Sequence, residues 1–409
     1  MQNPFRIYYD LPKTIYILFW VQVINRCGDF VIPFLALFLV TKMGFDSKTS
    51  GLIVTISIIL QVPGSLIGGK IADYYGRKIT YLVSQTVAGL CILLCAFATG
   101  KVIIGLLFIS TFCGAAVKPT LNTMAYDRLG PEKRKAGYSL MYLGINLGVA
   151  VGPLMAGFLF NHYLKIFFIG DALTSLVAVS LVFFKIRDQE TLYIQPMKNC
   201  QNSSGLVADL AKKPALAVFL ILSMVYSFVY VQNNFSLPLM MKTLFQQKSP
   251  IYMGYVISIN AITVLSLTTL ITVFTKKIPF LVNIAAAGVF YAIGFGMVGL
   301  SNYLPLLLFS TVLWTIGEIL DITNSGIFIA NNCRADIQAR YSALVMITGS
   351  TGKALGTLVM GGYIKKMGIT AVWPFIMVIA LCNAFLIYLL YVYLTKNKTV
   401  TKRRIDEAV

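Results

Sequence analysis

The chain has 409 residues, of which 57% are hydrophobic and 12% are charged. Soluble globular proteins carry about 25% charged residues, so the composition excludes an ordinary soluble domain and predicts that most of the chain lies in an apolar solvent. The net charge of +19 does not indicate nucleic-acid binding, because most of the basic residues fall in short segments between apolar runs and form no patch on a soluble domain.

Twelve apolar runs are each long enough to cross a bilayer as a helix, which needs about 20 residues. They lie near 14–42, 50–73, 79–99, 102–126, 137–160, 166–185, 214–241, 252–275, 280–300, 303–330, 341–364 and 370–395. We predict an all-α polytopic membrane protein with two six-helix bundles at 1–185 and 214–395. A polar stretch at 186–213 is interpreted as a cytoplasmic linker, and 396–409 as a cytoplasmic tail.

Basic residues are distributed unevenly over the segments between the runs. Pairs and triplets of Lys and Arg recur on alternate segments, including Arg77–Lys78 and Lys133–Lys135, whereas the opposite segments hold a sparser set. Because cytoplasmic loops carry an excess of Lys and Arg, we predict that both termini are cytoplasmic. The expected location is the cell membrane, either plasma or inner, as a multi-pass protein.

The two halves of the chain share a pattern of Phe, Pro and Gly at nearly constant separation. The matching pairs are Phe30 and Phe235, Pro33 and Pro238, Gly148 and Gly352, and Gly152 and Gly356. Internal repeats of this kind are typical of secondary transporters, whose substrate sites lie near the middle of the membrane. The alternative is that Pro and Gly are simply frequent in membrane helices.

A polar decapeptide follows the second run and reads G-x-x-x-D-x-x-G-R-K. Its defining residues are Gly69, Asp73, Gly76, Arg77 and Lys78. It resembles the loop between the second and third helices of major facilitator superfamily transporters, and the segment that ends at Asp127 resembles the inner end of their fourth helix. The glycines would permit a tight turn and a close helix approach.

That resemblance covers nearly the whole chain and implies the major facilitator fold, with twelve transmembrane helices in two pseudo-symmetric six-helix bundles. It also implies a conformational latch, in which Arg77 pairs with an acid such as Asp127. The matching loop of the second half has only Lys276–Lys277, so the latch is expected on one side. The alternative is that Arg77 and Lys78 are ordinary positive-inside anchors.

The fifth run carries glycines four residues apart, which lie on one helix face and permit close packing. Its key residues are Gly144, Gly148, Gly152, Pro153 and Gly157. The pattern resembles the G-x-x-x-G-P-x-x-G-G signature of drug:proton antiporters, with Ala156 in place of one glycine. We also expect the Gly152–Pro153 pair to permit a kink. Generic packing of small residues is the alternative.

Several charged residues lie inside apolar runs, where a charge costs about 2.5 to 3.5 kcal/mol on insertion scales and usually faces a cavity or a partner. The acids are Asp29, Glu318 and Asp321, and the bases are Arg26, Lys118 and Lys353. We predict that Glu318 carries a coupling proton, with Asp29 and Asp321 as further candidates. The alternative is that these acids and bases form fixed ion pairs. Asp171, in the sixth run, is expected to be structural.

Polar and aromatic side chains in the same runs are candidates for the wall of a substrate cavity. In the fold that the chain resembles, the first, fourth, seventh and tenth helices line this cavity. The candidates are Asn25, Arg26, Lys118, Asn122, Tyr226, Tyr230, Gln232, Asn233, Asn234 and Lys353. For any one of them, interhelical hydrogen bonding is the simpler interpretation.

The resemblance implies a proton-coupled secondary active transporter that works by alternating access and exports lipophilic or amphipathic small molecules. The expected partners are a small-molecule substrate, protons and the lipid bilayer, with no nucleic acid, and the expected state is a monomer. Two alternatives are a transporter of an organic anion, peptide or siderophore, and a lipid or lysolipid flippase. A membrane-embedded enzyme is disfavoured, because the sequence holds no clustered nucleophile or acid/base set.

Cysteine, histidine and glycine patterns give no indication of a metal or a cofactor. The seven cysteines include no C-x-x-C pair and His162 is the only histidine, so neither a disulfide framework nor a metal site is predicted. The sequence has no P-loop motif. We therefore expect no cofactor, and expect the proton gradient to supply the energy.

Overall fold

A computed structural model describes residues 6–130, 132–186, 213–332 and 338–406. Residues 187–212 of the predicted linker and 407–409 of the predicted tail lie outside the described residues. Within the described ranges, every regular element is an α-helix or a short 3₁₀ turn.

The helices follow one another along the chain with short connections. They are α1 (Arg6–Tyr9), α2 (Lys13–Cys27), α3 (Val31–Thr41), α4 (Ser47–Tyr75), α5 (Arg77–Cys95), α6 (Val102–Gly114), α7 (Val117–Arg128), α8 (Arg134–His162), α9 (Leu164–Lys185), α10 (Pro214–Tyr230), α11 (Ser236–Phe245), α12 (Ser249–Thr275), α13 (Phe280–Leu300), α14 (Leu304–Asn332), α15 (Gln338–Met367) and α16 (Val372–Asp406). A helix, or a pair of helices in line, occupies each of the twelve predicted runs.

Ten helical stretches in the described part of the chain are long and apolar enough to cross a membrane. One of these stretches, Pro214–Thr275, contains both the seventh and the eighth predicted run. Helix α15, which carries Lys353, Lys365 and Lys366, is not among the ten. The chain therefore has the helical content and apolar lengths of a polytopic membrane protein.

Three of the runs are broken near their middle, and in each case a proline lies in the first turn of the helix that follows the break. The first run divides into α2 and α3, with Pro33 in the first turn of α3. The seventh divides into α10 and α11 through a 3₁₀ turn at Val231–Asn233, with Pro238 in the first turn of α11. Proline has no N–H for a helical hydrogen bond but is tolerated in a first turn, which explains why each new helix begins there.

The fourth run is also divided, into α6 and α7, just before Pro119. The fifth run behaves differently. Helix α8 continues through Pro153 from Arg134 to His162, and the kink at Gly152–Pro153 stays a prediction.

The chain packs as two compact units. The first comprises residues 1–196 and 234–265, and the second comprises 197–233 and 266–409. In the first unit α8 packs along α2, and α9 packs on both α2 and α5. Residues 234–265 group with this first unit, although they are predicted to lie in the second bundle. Within this unit, Gly254 of α12 lies against the backbone of Pro153.

The core of the second unit is aromatic. Helix α13 packs against α14 and α16, and the ring of Phe295 stacks on Trp314 with centroids 5.6 Å apart. Trp314 and Trp373 are both buried. This core packs directly on α14, the helix that carries the acids of the tenth run.

Candidate functional site

The break between α2 and α3 holds an ion pair. Arg26, in the last turn of α2, donates from Nη1 to Oδ2 of Asp29 at 2.6 Å, and about a third or less of each side chain is exposed (32% and 27%). In this structure Arg26 and Asp29 therefore form an ion pair, as the alternative of fixed ion pairs describes. Asp29 stays a candidate for proton coupling, but protonating it would have to break this bond.

The neighbouring Asn25 is tied to two other helices. Gln85 of α5 donates through Nε2 to Oδ1 of Asn25 at 3.0 Å and to the hydroxyl of Ser175 on α9 at 2.9 Å. Gln85 is not among the site residues that the sequence predicts. A polar amide within an apolar run is the only signal in the sequence that could have identified it.

Asp171 of α9 accepts two hydrogen bonds from the start of α3. The backbone N–H groups of Phe30 and Val31 both donate to its Oδ2, each at 3.1 Å. The first N–H groups of a helix have no partner within the helix, so Asp171 satisfies donors that the break exposes. The expected structural role of Asp171 thus has a definite contact.

The acids of the second unit lie on one face of α14. Glu318 and Asp321 are both half-buried, and Oδ1 of Asp321 accepts a hydrogen bond from the hydroxyl of Ser325 at 2.7 Å. Lys353, on α15, interacts electrostatically with Glu318. The structure therefore brings three of the predicted residues, two acids and one base, into one charged group.

Aromatic residues adjoin this charged group. Trp314, Glu318 and Asp321 are spaced so that all three lie on one side of α14. The ring of Tyr230 contacts Trp314 with centroids 6.0 Å apart, and it contacts Tyr291 at 6.1 Å. The sequence does not predict Trp314 and Tyr291, because both lie in uniformly apolar stretches that carry no pattern of their own.

Two of the predicted cavity residues in the seventh run are engaged with the backbone. Tyr226 is buried and donates to the carbonyl of Ile284 at 3.0 Å. Gln232 is buried and donates to the carbonyl of Phe228 at 2.9 Å. These contacts favour the interhelical and local hydrogen-bonding interpretation for both residues.

The remaining polar candidates are dispersed. Asn233 is half-buried with its Oδ1 lacking a hydrogen-bond partner among the described residues, and Asn234 is exposed. Lys118 is exposed on α7, and Asn122 uses its backbone carbonyl to accept from the Tyr138 hydroxyl at 3.1 Å.

The polar decapeptide forms the turn between α4 and α5. Arg77 makes an ion pair with Asp127 and donates to the carbonyl of Thr123 at 2.9 Å. The exposed Asp73 acts electrostatically on Arg77, and Lys78 lies over the ring of Phe183. The structure therefore contains the pair on which the proposed latch depends.

Of the two glycines of this motif, Gly76 forms the expected tight turn, and Gly69 does not make the expected close helix approach. Gly76 has φ +93°, a left-handed conformation that favours glycine. Gly69 has open space where a Cβ would lie, whereas the adjacent Gly68 is pressed against Ala116. The close helix approach thus occurs at Gly68 and not at Gly69.

The glycine face of α8 lies against the first run. A Cβ on Gly144 would lie 2.9 Å from the Phe19 carbonyl oxygen, and one on Gly148 would lie 2.6 Å from that of Val23. A Cβ on Gly152 would lie 2.5 Å from the carbonyl oxygen of Cys27. This packing brings the backbone of α8 against the turn that carries Arg26.

Gly157, one turn further along α8, packs against Pro250 and Ile251 of α12. The second unit repeats the contact with the divided run, since a Cβ on Gly356 of α15 would lie 2.9 Å from the carbonyl oxygen of Phe228 on α10. Within the described ranges, no group of three or more His, Cys, Asp or Glu side chains is placed to hold a metal ion.

Comparison with known proteins agrees with this architecture. The family model described as Major Facilitator Superfamily matches residues 18–357. The chain is 22% identical over 360 residues to a Na(+), Li(+), K(+)/H(+) antiporter of Planococcus maritimus, covering 80% of this chain and 84% of the relative. It is 33% identical over 112 residues to a 3-(3-hydroxy-phenyl)propionate transporter of Escherichia coli (strain K12), covering 27% of this chain and 28% of the relative.

Among solved structures, the nucleoside transporter NupG superposes with a TM-score of 0.77. The sequences are 16% identical, and the match covers 93% of this chain and 99% of NupG. At this level of identity the likeness supports the fold alone.

Proposed function

We propose a function from one premise: the chain belongs to the major facilitator superfamily. It is therefore a multi-pass membrane transporter and not an enzyme. The fold class and the family predicted from the sequence are confirmed. The narrower resemblance to drug:proton antiporters stays a prediction.

The transporter is, in this proposal, a proton-coupled secondary active exporter of lipophilic or amphipathic small molecules. It works by alternating access in the cell membrane as a monomer, with both termini cytoplasmic. The observation that carries the proposal is the charged group of Glu318, Asp321 and Lys353 beside the aromatic side chains of Tyr230 and Trp314. A membrane helix rarely carries two acids unless they serve transport or a proton relay.

Glu318 is the proposed carrier of the coupling proton. Oδ1 of Asp321 accepts from Ser325 on the same helix, and Asp29 pairs with Arg26 three residues before it. Glu318 interacts electrostatically with Lys353, which lies on a different helix. Protonation of Glu318 would remove its attraction for Lys353, so a single proton would change the interaction between α14 and α15.

The membrane potential provides enough energy for this scheme. Moving one elementary charge through 100 mV is worth about 2.3 kcal/mol. Since each 1.4 kcal/mol is a factor of ten, one charge moved inward supports an outward substrate gradient of about fiftyfold. The aromatic rings beside the acids are suited to an apolar or aromatic portion of the substrate.

The experiment uses the full chain in proteoliposomes with an imposed pH gradient and a panel of lipophilic dyes, amino acids, peptides and lysolipids. We expect substrate movement against its gradient that collapses with a protonophore. Glu318→Gln should abolish the proton-driven movement and leave ligand binding measurable. Glu132→Gln is the matched control, because Glu132 is exposed in the loop before α8. Full gradient-driven transport by Glu318→Gln would remove Glu318 from this role.

A second candidate function is transport of an aromatic organic anion. The Escherichia coli relative over 112 residues is named as a transporter of a phenylpropionate, and Arg26, Lys118 and Lys353 provide cationic groups. In the same assay, competition by aromatic carboxylates that weakens with added salt would favour this candidate. Inhibition by lipophilic cations alone would favour the first.

A further inference from the structure

The break in the first run is held in place from both sides by polar contacts. On its carboxyl side, the N–H groups of Phe30 and Val31 donate to Asp171. No water is available inside a bilayer to satisfy such donors, and Asp171 is only 9% exposed. A carboxylate at the start of α3 is also favoured by the helix dipole.

On its amino side, the break is held through Asn25. Gln85, which is 5% exposed, uses its amide group to join Asn25 to Ser175 of α9. Ser175 lies one helical turn from Asp171 on the same helix. One face of α9 therefore holds the chain both before and after the break.

A third contact brings the backbone of the break against α9. Gly28 lies so close to Thr174 that a Cβ at this position would overlap the Thr174 hydroxyl. That hydroxyl donates to the backbone carbonyl of Asp171 at 2.8 Å, which fixes its own orientation. The segment from Asn25 to Val31 is thus set against α9 at three points.

We propose that Asp171 and Gln85 are positioning residues for the Arg26–Asp29 pair. Gln85 has no described contact with Arg26 or Asp29, and Asp171 acts on Asp29 only electrostatically, without a described hydrogen bond. Both side chains hold the residues on either side of that pair. Their effect passes through the backbone of the break, which sets the direction in which Arg26 and Asp29 point. The inference rests on the proposed function only for its transport readout, in which Arg26 is a cationic group of the second candidate function.

The test uses Cys27, which is a free, half-buried cysteine at the last position of α2. The other six cysteines are replaced by serine or alanine, and the rate of Cys27 modification by a methanethiosulfonate reagent is measured in the full chain. The variants are Asp171→Leu, Asp171→Asn and Gln85→Leu, with Ser180→Ala as the matched control. Ser180 is exposed on the same helix and donates only to the carbonyl of Leu176.

Asp171→Leu should raise the modification rate at least tenfold, roughly the effect of leaving the buried Val31 N–H unsatisfied, since the Phe30 N–H keeps the carbonyl of Gly28 as an acceptor. Asp171→Asn should stay close to the wild-type rate, because its amide oxygen can still accept both bonds. Gln85→Leu should also raise the rate, and it serves if Asp171→Leu does not give monodisperse protein. In transport, Asp171→Leu should raise the apparent KM for substrate, whereas Asp171→Asn should have a KM close to that of the wild type.

Equal modification rates in wild type, Asp171→Leu and Gln85→Leu would overturn the inference. An increase of the same size in Asp171→Asn and Asp171→Leu would also overturn it, because the acceptor atoms would then not matter. The modification assay requires no transport. Wild-type protein without proton-driven flux would contradict the proposed function, whereas the expected labelling pattern would still support the positioning role.

Discussion

The contact between the glycine face of α8 and the first run permits a quantitative prediction at Gly152. A Cβ at this position would lie 2.5 Å from the carbonyl oxygen of Cys27 and 2.9 Å from that of Arg26. Both atoms belong to the backbone, so α2 would have to move to accept Gly152→Ala. Overpacking of this kind costs about 1–3 kcal/mol.

Gly105→Ala is the matched control for this change. Gly105 lies within α6, and a Cβ added there would have no neighbouring heavy atom within 4 Å. Both substitutions gain about 1 kcal/mol in helix propensity, so this contribution cancels when the two variants are compared. Gly152→Ala should therefore be about 1–3 kcal/mol less stable than Gly105→Ala.

The assay is thermal unfolding of both purified variants in the same detergent. Since 1 kcal/mol shifts the melting temperature of a larger domain by about 2–4 °C, the two midpoints should differ by several degrees. A melting temperature of Gly152→Ala equal to or above that of Gly105→Ala would refute the packing argument. A displaced α2 should also slow transport, because Arg26 lies in its last turn.

Two further predictions concern the polar decapeptide. Gly76→Ala should lower the free energy of unfolding by roughly 1–3 kcal/mol, because Gly76 has a φ of +93°. Gly69→Ala should be neutral or slightly stabilising, because a Cβ at Gly69 would enter open space. The melting temperatures of the two variants test this pair of expectations, and equal losses of stability would contradict them. Arg77→Gln and Asp127→Asn, combined in a double-mutant cycle, should give a coupling free energy of about 1 kcal/mol or less, because both side chains are partly exposed. A coupling free energy several times larger would contradict the argument that solvent screens this ion pair.

The positions of the helices could be predicted from the sequence, and the breaks within them only partly. Runs of about 20 apolar residues leave few alternatives to a membrane helix. In the first run, however, the sequence predicts a single span over 14–42, even though Pro33 belongs to the internal repeat. A proline in a first turn marks the start of a helix as well as a kink, and the structure shows that start at Val31.

The partners of the site residues depend on distant parts of the chain. Asp171 binds Phe30 and Val31 across about 140 residues of sequence, and no periodic pattern could have predicted that contact. The Arg26–Asp29 pair was accessible to sequence reasoning, because residues three apart would lie close together on a continuous helix. The structure forms the pair although Asp29 lies in the break after α2. Trp314 and Glu318 share one side of α14 through helix periodicity alone, whereas the contact of Trp314 with the ring of Tyr230 depends on tertiary packing that hydrophobicity does not specify.

The coupling of proton and substrate movement is tested most directly by measuring protons themselves. Proteoliposomes containing a pH-sensitive dye are given an outward or inward gradient of a transported substrate, with no pH gradient imposed. The proposed function predicts that, in wild-type protein, protons move in the direction opposite to the substrate and change the internal pH. In Glu318→Gln the internal pH should not change. Substrate movement in wild-type protein without any accompanying pH change would contradict proton coupling.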